Sequence, residues 1–208
     1  SDLSDLVKFT DFSDTLTVAS SAEETKKSNM DVWMEIIVKK GARFRCYLTP
    51  NGDSYVDATG EGNLTFRMPP QGEMRMTGRI TIDEGKMNYE LPVIPLRTFN
   101  FASGSSIDFT GNVMNPTLNI TATERVKTIV TEDDRQRAVT FDAGVKISRT
   151  VEDMGLEFII DAPEDLEIKN QLTAMSKEER GKAAVALLAT GMYITDDNLA
   201  TGGLKASN

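Results

Sequence analysis

The sequence predicts a mainly β fold, an elongated antiparallel meander followed by one short α-helix near the C-terminus. Two observations favour the meander: apolar and polar residues alternate along most of the chain, and turn signals separate the alternating segments. The third observation is a change of period near residue 177, where the apolar residues take up helical spacing. Alternation also means that one face of the sheet meets apolar material while the other meets water.

The alternating segments begin at Met30 and continue to Ile160. Their pattern predicts about ten strands joined as sequential hairpins. The apolar positions of these strands are the candidate lining residues of the inner face. They are Val32, Met34, Ile36, Phe44, Leu64, Phe66, Met74, Met76, Ile80, Ile82, Met87, Tyr89, Phe99, Phe101, Ile107, Phe109, Leu118, Ile120, Val145, Ile147, Phe158 and Ile160.

Turn residues separate the strands of this meander. The dipeptide Asn51-Gly52 predicts a hairpin, and the Pro-Pro-Gln-Gly segment at residues 69–72 ends a strand. Residues 83–86, Asp-Glu-Gly-Lys, predict a tight turn, and the charged residues 131–135 connect two later strands. We therefore expect each of these segments to separate two paired strands.

The composition divides the chain into four parts. Residues 1–29 are polar and predict an edge strand with a linker, and residues 30–170 hold the alternating strands. Residues 171–195 contain an amphipathic helix near 177–190, which starts with the capping box Ser-Lys-Glu-Glu and carries a stripe of Ala183, Ala184, Leu187 and Leu188. Gly191 suits the helix end, and residues 196–208 form a polar, Gly-rich tail.

A sheet of this size with one apolar face needs a cover, and one short helix is too small to supply it. The sheet must therefore curl on itself or leave an open apolar groove for a partner. Several of the ten methionines lie on the apolar face. Methionine is common in cores and also forms adaptable binding surfaces, so the residues alone leave both alternatives open.

The composition excludes several classes of function. The chain has no histidine, which excludes histidine-based triads, general bases and imidazole metal sites. Its single cysteine, Cys46, alternates with Phe44 and Leu48, which predicts a small buried hydrophobe. A net charge of −9 argues against nucleic acid as a partner. No catalytic, metal-binding or cofactor-binding constellation stands out, so we predict that the protein is not an enzyme.

Three segments resemble the C-terminal domain of the TamB family, the translocation and assembly module. They are residues 52–64, residues 78–87, and Phe99 followed by residues 104–111 and 115–122. The last two ranges read Gly-Ser-Ser-Ile-Asp-Phe-Thr-Gly and Asn-Pro-Thr-Leu-Asn-Ile-Thr-Ala, which is similar to the most specific signature of the family. The helix also resembles that of family members from Bacteroidetes-type bacteria. Glycines within the strands, at positions 60, 62, 78 and 111, suit a sheet that bends.

The resemblance implies an open trough, a sheet folded lengthwise into a β-taco, with the short helix beyond it. It implies a periplasmic location in a parent protein anchored in the inner membrane by an N-terminal helix that this chain lacks. The implied cargo is phospholipid acyl chains moving between membranes, shielded by the lining residues. The implied protein partner is an outer-membrane barrel of the TamA or BamA type, contacted through its POTRA repeats.

Two other hypotheses compete with a lipid-conducting trough. A chaperone-like module would add its edge strand to nascent outer-membrane β-strands. A closed β-sandwich adhesin or carbohydrate-binding module would have a fully packed interior and surface aromatic platforms, and the aromatic content of 7% with Trp33 as the single tryptophan weighs against it. Exposed edges and an open trough also favour a homodimer of this fragment.

Overall fold

One antiparallel sheet of nine strands dominates the computed structural model, which describes residues 7–9, 30–91 and 94–195. The strands are β1 Val7–Phe9, β2 Val32–Tyr47, β3 Tyr55–Met68, β4 Arg75–Leu91, β5 Ile94–Phe101, β6 Ser106–Asn112, β7 Thr117–Glu132, β8 Arg135–Arg149 and β9 Met154–Asp161. Two helices follow, α1 Leu166–Ala174 and α2 Lys177–Thr190. The predicted antiparallel, mainly β fold is confirmed, with two short helices in place of one.

The sheet divides at β4, which is long enough to pair with two strands at once. Its N-terminal part pairs with β6, and its C-terminal part pairs with β5. β7 then pairs with both β5 and β6, and β8 and β9 complete the order. β1 and β9 stand at opposite edges and do not pair with each other within the described residues, so the predicted open, curled sheet is confirmed.

The predicted tight turn at residues 83–86 is wrong. β4 runs through this segment, and its register on β3 shifts between Thr59 and Gly60. Asp83 is the extra residue of the resulting β-bulge. The segment has the composition of a turn, but ladders with β3 on one side and with β5 and β6 on the other keep it extended.

The other turn signals are confirmed. The Asn51-Gly52 dipeptide lies between β2 and β3, where Gly52 has a φ of 78° and its N–H donates to the Thr49 carbonyl at 3.1 Å. β7 and β8 are joined through Asp133 and Asp134, whose φ angles are 49° and 63°. Positive φ at both central residues is what a two-residue hairpin of type I′ requires.

Glycines within the strands let neighbouring strands approach closely, as the bending sheet requires. Gly78 and Gly111 have φ angles of 124° and 137°, which side-chain-bearing residues rarely adopt. At Gly62 and Gly144 a Cβ atom would overlap the backbone of β4 and β7, respectively. The sheet can therefore coil strongly at these points.

The predicted amphipathic helix near residues 177–190 is confirmed as α2. The Ser176 hydroxyl accepts a hydrogen bond from the Glu179 N–H at 3.1 Å, and the Gly191 N–H donates to the Leu187 carbonyl at 2.8 Å. Sequence reasoning missed α1, which Asp165 caps. Nine residues are too few to establish a helical period.

Both helices pack into the same apolar core as the inner face of the sheet. α2 reaches from β9 to β5: Lys177 pairs with Glu157 at 3.1 Å, and Arg97 Nε donates to the Leu188 carbonyl at 2.8 Å. The division of the chain into four parts stays a prediction. The predicted linker at its N-terminal side and the predicted tail at 196–208 lie outside the described residues.

Candidate functional site

All the predicted lining residues belong to one hydrophobic cluster on the inner side of the folded sheet. Most are buried: Phe44, Leu64, Phe66, Met76, Ile80, Ile82, Met87, Tyr89, Phe99, Ile107, Phe109, Leu118, Ile120, Val145, Ile147 and Ile160. The others are half-buried: Val32, Met34, Ile36, Met74, Phe101 and Phe158. Much of the trough is thus filled by its own side chains, and its solvent-accessible part is confined to a few positions.

Three of the six half-buried lining residues lie on the N-terminal half of β2. We call Val32, Met34 and Ile36 the lip, because these three inner-face side chains are only half-buried. Their partners on β3 are Met68, Phe66 and Leu64, which are exposed by 2% or less. Within the described residues, β3 is the only strand that pairs with β2 from Val32 to Arg43.

The outward-facing side of this half of β2 is also apolar. Trp33 and Ile37 alternate with the lip, and they are 62% and 64% exposed. Met30, just before the strand, is 59% exposed. The Arg67 guanidinium lies 5.2 Å from the Trp33 ring centroid and pairs with Asp31 at 3.6 Å. Among the described residues, an apolar surface therefore wraps around the β2 edge at the lip.

Burial controls the chemistry of the ionisable groups inside the trough. It raises the pKa of the Cys46 thiol to about 12, so the residue is a small buried hydrophobe, as predicted. Burial also raises the pKa of Tyr89 and of Tyr193. The Tyr89 hydroxyl lies 3.6 Å from the Met154 sulfur, so β4 meets β9 across the trough.

The far side of the trough contains residues that sequence reasoning missed. Tyr193, beyond α2, stacks on Phe141 with ring centroids 4.8 Å apart. Arg97 links β5 to both Glu124 and the Leu188 carbonyl. A tyrosine after a helix and an arginine within a strand carry no signal of such contacts, because the partners are distant in sequence.

Residues 104–111 and 115–122, which resemble the family signature, have structural roles where strands meet. The buried Ser105 hydroxyl donates to the Ala102 carbonyl at 3.0 Å and accepts from the Thr121 N–H at 3.1 Å, which closes the gap between β5 and β6. Asn115 Oδ1 accepts from the Glu152 N–H at 2.9 Å and so anchors the connection from β8 to β9. The signature thus marks how the sheet is assembled around the trough.

The described part of the chain offers neither a metal site nor a helix that could span a membrane. Its Asp, Glu and Cys side chains form no group of three or more that could hold a metal ion. None of its helices combines the length and the apolar character needed to cross a lipid bilayer.

Comparison with known proteins places the whole chain in one group. A family model described as the TamB C-terminal domain matches residues 3–208. Neither the search of curated proteins nor the search of solved structures gave a match. The matched range includes every strand and both helices described above. The chain therefore belongs to the TamB C-terminal domain family.

Proposed function

We propose that this chain is a non-catalytic part of a periplasmic bridge whose trough shields phospholipid acyl chains in outer-membrane biogenesis. The gradient of burial from the lip into the trough supports the proposal most directly. Half-buried apolar side chains on β2 lead to fully buried ones on β3. An acyl chain would enter at the lip, and each methylene kept from water there would contribute about 0.8 kcal/mol.

Membership of the TamB family supports the role in outer-membrane biogenesis. TamB proteins form a non-catalytic transport and assembly family of the bacterial envelope, with a role in outer-membrane biogenesis and partners of the TamA type. In our proposal the parent protein is anchored in the inner membrane by an N-terminal helix. It contacts a TamA- or BamA-type barrel through its POTRA repeats, and lipid head groups stay in water beside the lip.

Substitutions at the lip test the proposal with little damage to the core. Met34→Asp and Ile36→Asp place a charge where acyl chains would enter, at positions that are already half-exposed. Met76 and Ile80 are 6% and 1% exposed, so an Asp there would unfold the sheet. We expect mass spectrometry of gently purified protein to find about tenfold less bound phospholipid in each lip variant, the effect of about 1.4 kcal/mol.

Ile37→Asp is the matched control. It removes the same kind of side chain from the same strand, but from the outward-facing side. The control should keep the lipid content of the unaltered protein, and circular dichroism should show equal folding for all variants. Equal lipid content in the lip variants and the control, or no phospholipid in any sample, would contradict the proposal.

A second candidate function is the addition of an outer-membrane β-strand to the sheet. Its support is the β2 edge between Val32 and Arg43, which has no further strand beside it in the described residues. Within residues 33–37, Pro substitutions at the positions whose N–H points away from β3 would remove edge donors and keep the ladder with β3. If strand addition is the function, they should impair barrel assembly in cells while the lipid content stays unchanged. Met34→Asp should then have the smaller effect on assembly.

A further inference from the structure

The β2 edge exposes apolar side chains beside unpaired backbone. Among the described residues, three of the seven exposed large apolar side chains lie together here: Met30, Trp33 and Ile37. The half-buried lip lies on the other face of the same stretch. From Val32 to Arg43, β3 is the only described strand beside β2, so the backbone groups that point away from β3 are available to a further strand.

Two charged side chains flank Ile37 on the outward-facing side. Glu35 precedes it by two residues, and Lys39 follows it by two residues, at the start of the bulge between Val38 and Ala42. Both are exposed, and neither makes an ion pair among the described residues. Lysine at a sheet edge disfavours pairing with most strands. A strand that pairs here must therefore bring an acidic side chain to Lys39 and a basic one to Glu35.

The β2 strand itself carries this pattern in reverse. When two copies of β2 run antiparallel with Ile37 opposite Ile37, Glu35 of each copy lies opposite Lys39 of the other. Side chains that are directly opposite each other have Cβ atoms about 4.5–5.5 Å apart, so both ion pairs can form. Registers centred on Glu35 or on Lys39 would place like charges opposite each other, which is destabilising.

We infer that two copies of this chain pair antiparallel through their β2 edges, in the register centred on Ile37. The contact is isologous, so each favourable pair occurs twice. It would use the edge backbone groups and cover the exposed apolar side chains. An acyl chain would leave both charges without a partner, and another strand would match them only if it carried the same order of charges. Because the shared ladder is short, we expect a dimer with a dissociation constant in the micromolar range.

Charge reversal tests the register. Glu35→Lys and Lys39→Glu each place two pairs of like charges in the homodimer, and both positions are exposed, so the fold should persist. In sedimentation velocity we expect each variant alone to dimerise about tenfold more weakly than the unaltered chain. In an equimolar mixture of the two variants, opposite charges face each other again at both positions, and the original affinity should return.

This restoration separates a second copy from other occupants of the edge. A mixture that dimerises no better than the single variants would overturn the inference. So would an unaltered chain that stays monomeric throughout the micromolar range, as expected if the edge accepts another segment of this chain or a strand of another protein.

A disulfide locates the centre of the shared ladder. Cys46 is the single cysteine and is buried, so an introduced surface cysteine is the only accessible thiol. Ile37→Cys would place two thiols opposite each other with Cα atoms about 5 Å apart, within disulfide reach. We expect mild oxidation to give a disulfide-linked dimer on a non-reducing gel.

Asn63→Cys is the matched control, because Asn63 is exposed and lies opposite Ile37 on β3. In the paired sheet the two control thiols would be three strand steps apart, about 14 Å, and should not form a disulfide. Equal cross-linking of Ile37→Cys and Asn63→Cys would contradict the proposed register.

The dimer does not rest on the proposed lipid transport, because each copy keeps its own trough. Ile37→Asp should therefore abolish the dimer and leave the phospholipid content unchanged. Dimers without bound phospholipid would overturn only the transport proposal, and monomers with bound phospholipid would overturn only the dimer. A second copy would also occupy the edge that strand addition needs, so one edge serves one of these two partners at a time.

Discussion

Gly144 lies at a close approach of β8 to β7. A Cβ atom there would overlap the Ala122 carbonyl oxygen and would lie 2.7 Å from the Thr123 Cα, and neither backbone atom can move without breaking the ladder. We therefore expect Gly144→Ala to lower the free energy of unfolding by about 1–3 kcal/mol, measured by urea denaturation.

Gly181→Ala is the control for this substitution. Gly181 lies inside α2, and the nearest atom to an added Cβ is 3.7 Å away, in ordinary contact. Alanine is favoured over glycine in a helix, so the free energy of unfolding should rise by about 1 kcal/mol. A Gly144→Ala variant as stable as the unaltered chain would contradict the close strand approach at this point.

The reactivity of the Cys46 thiol tests how completely this residue is buried. Its thiol is completely buried, and burial raises its pKa to about 12. The thiolate is the reactive form, so at pH 8 the folded protein should react with a thiol reagent about a thousandfold more slowly than the same chain in urea. Fast labelling of the folded protein would show that the trough opens near β2.

The start of the short helix α1 and its attachment to the sheet depend on Asp165. This carboxylate accepts a hydrogen bond from the Ile168 N–H at 3.0 Å and pairs with Arg137 of β8 at 2.9 Å. The Arg137 guanidinium, followed by the Ile168 N–H, holds the pKa of Asp165 below its usual range. One side chain thus starts the helix and fixes it to the sheet.

The sign of this shift sets a pH dependence. Because the pKa is lower in the folded state, the stabilisation is fully present above the unfolded-state pKa of about 4, and it is lost as the pH falls through the folded-state pKa. Asp165→Asn keeps a capping side chain but loses the ion pair. We expect it to lower the free energy of unfolding by about 0.5–1 kcal/mol at pH 7.

Urea denaturation at several pH values checks this expectation. The difference between Asp165→Asn and the unaltered chain should shrink below about pH 4, where the Asp165 carboxylate of the unfolded chain becomes protonated. Glu61→Gln, an exposed change on β3, is the control and should have no such pH-dependent effect. A difference that stays constant from pH 7 to pH 3 would contradict the role of the Arg137 contact.

The strands could be predicted from the sequence where the pattern depends only on neighbouring residues. The alternation placed every predicted lining residue in one cluster, although buried residues of β7 and β8 such as Val130, Val139 and Phe141 were not among them. The segment at 83–86 was misread because its turn composition is local, whereas the ladders that keep it extended come from residues 55–68 and 94–112. Non-local pairing therefore decided the shape of β4.

For the molecule as a whole, α2 acts as part of the core. Leu187 and Leu188 are fully buried, and Tyr193 beyond the helix stacks on Phe141. We expect Leu187→Ala to lower the free energy of unfolding by about 2–5 kcal/mol in urea denaturation, because it leaves a cavity between helix and sheet. It should also make the trough bind a hydrophobic dye.

Leu166→Ala is the matched control, because Leu166 is a helical leucine that is 72% exposed. Its effect on the free energy of unfolding should stay within about 0.5 kcal/mol. If Leu187→Ala changed the free energy of unfolding as little as Leu166→Ala, α2 would add little to the stability of the sheet. The trough would then have to be stable without α2.

The spacing of residues in the sequence was enough to predict the two faces of the sheet, the start and end of α2 and the family of the chain. These properties depend on neighbouring residues, whose spacing is visible in one dimension. Packing in three dimensions was needed to show which lining residues are buried and which form the lip, where the bulge lies in β4, and how α2 contacts β5. Each of these depends on strands that are distant in sequence, since burial and register arise only when those strands meet.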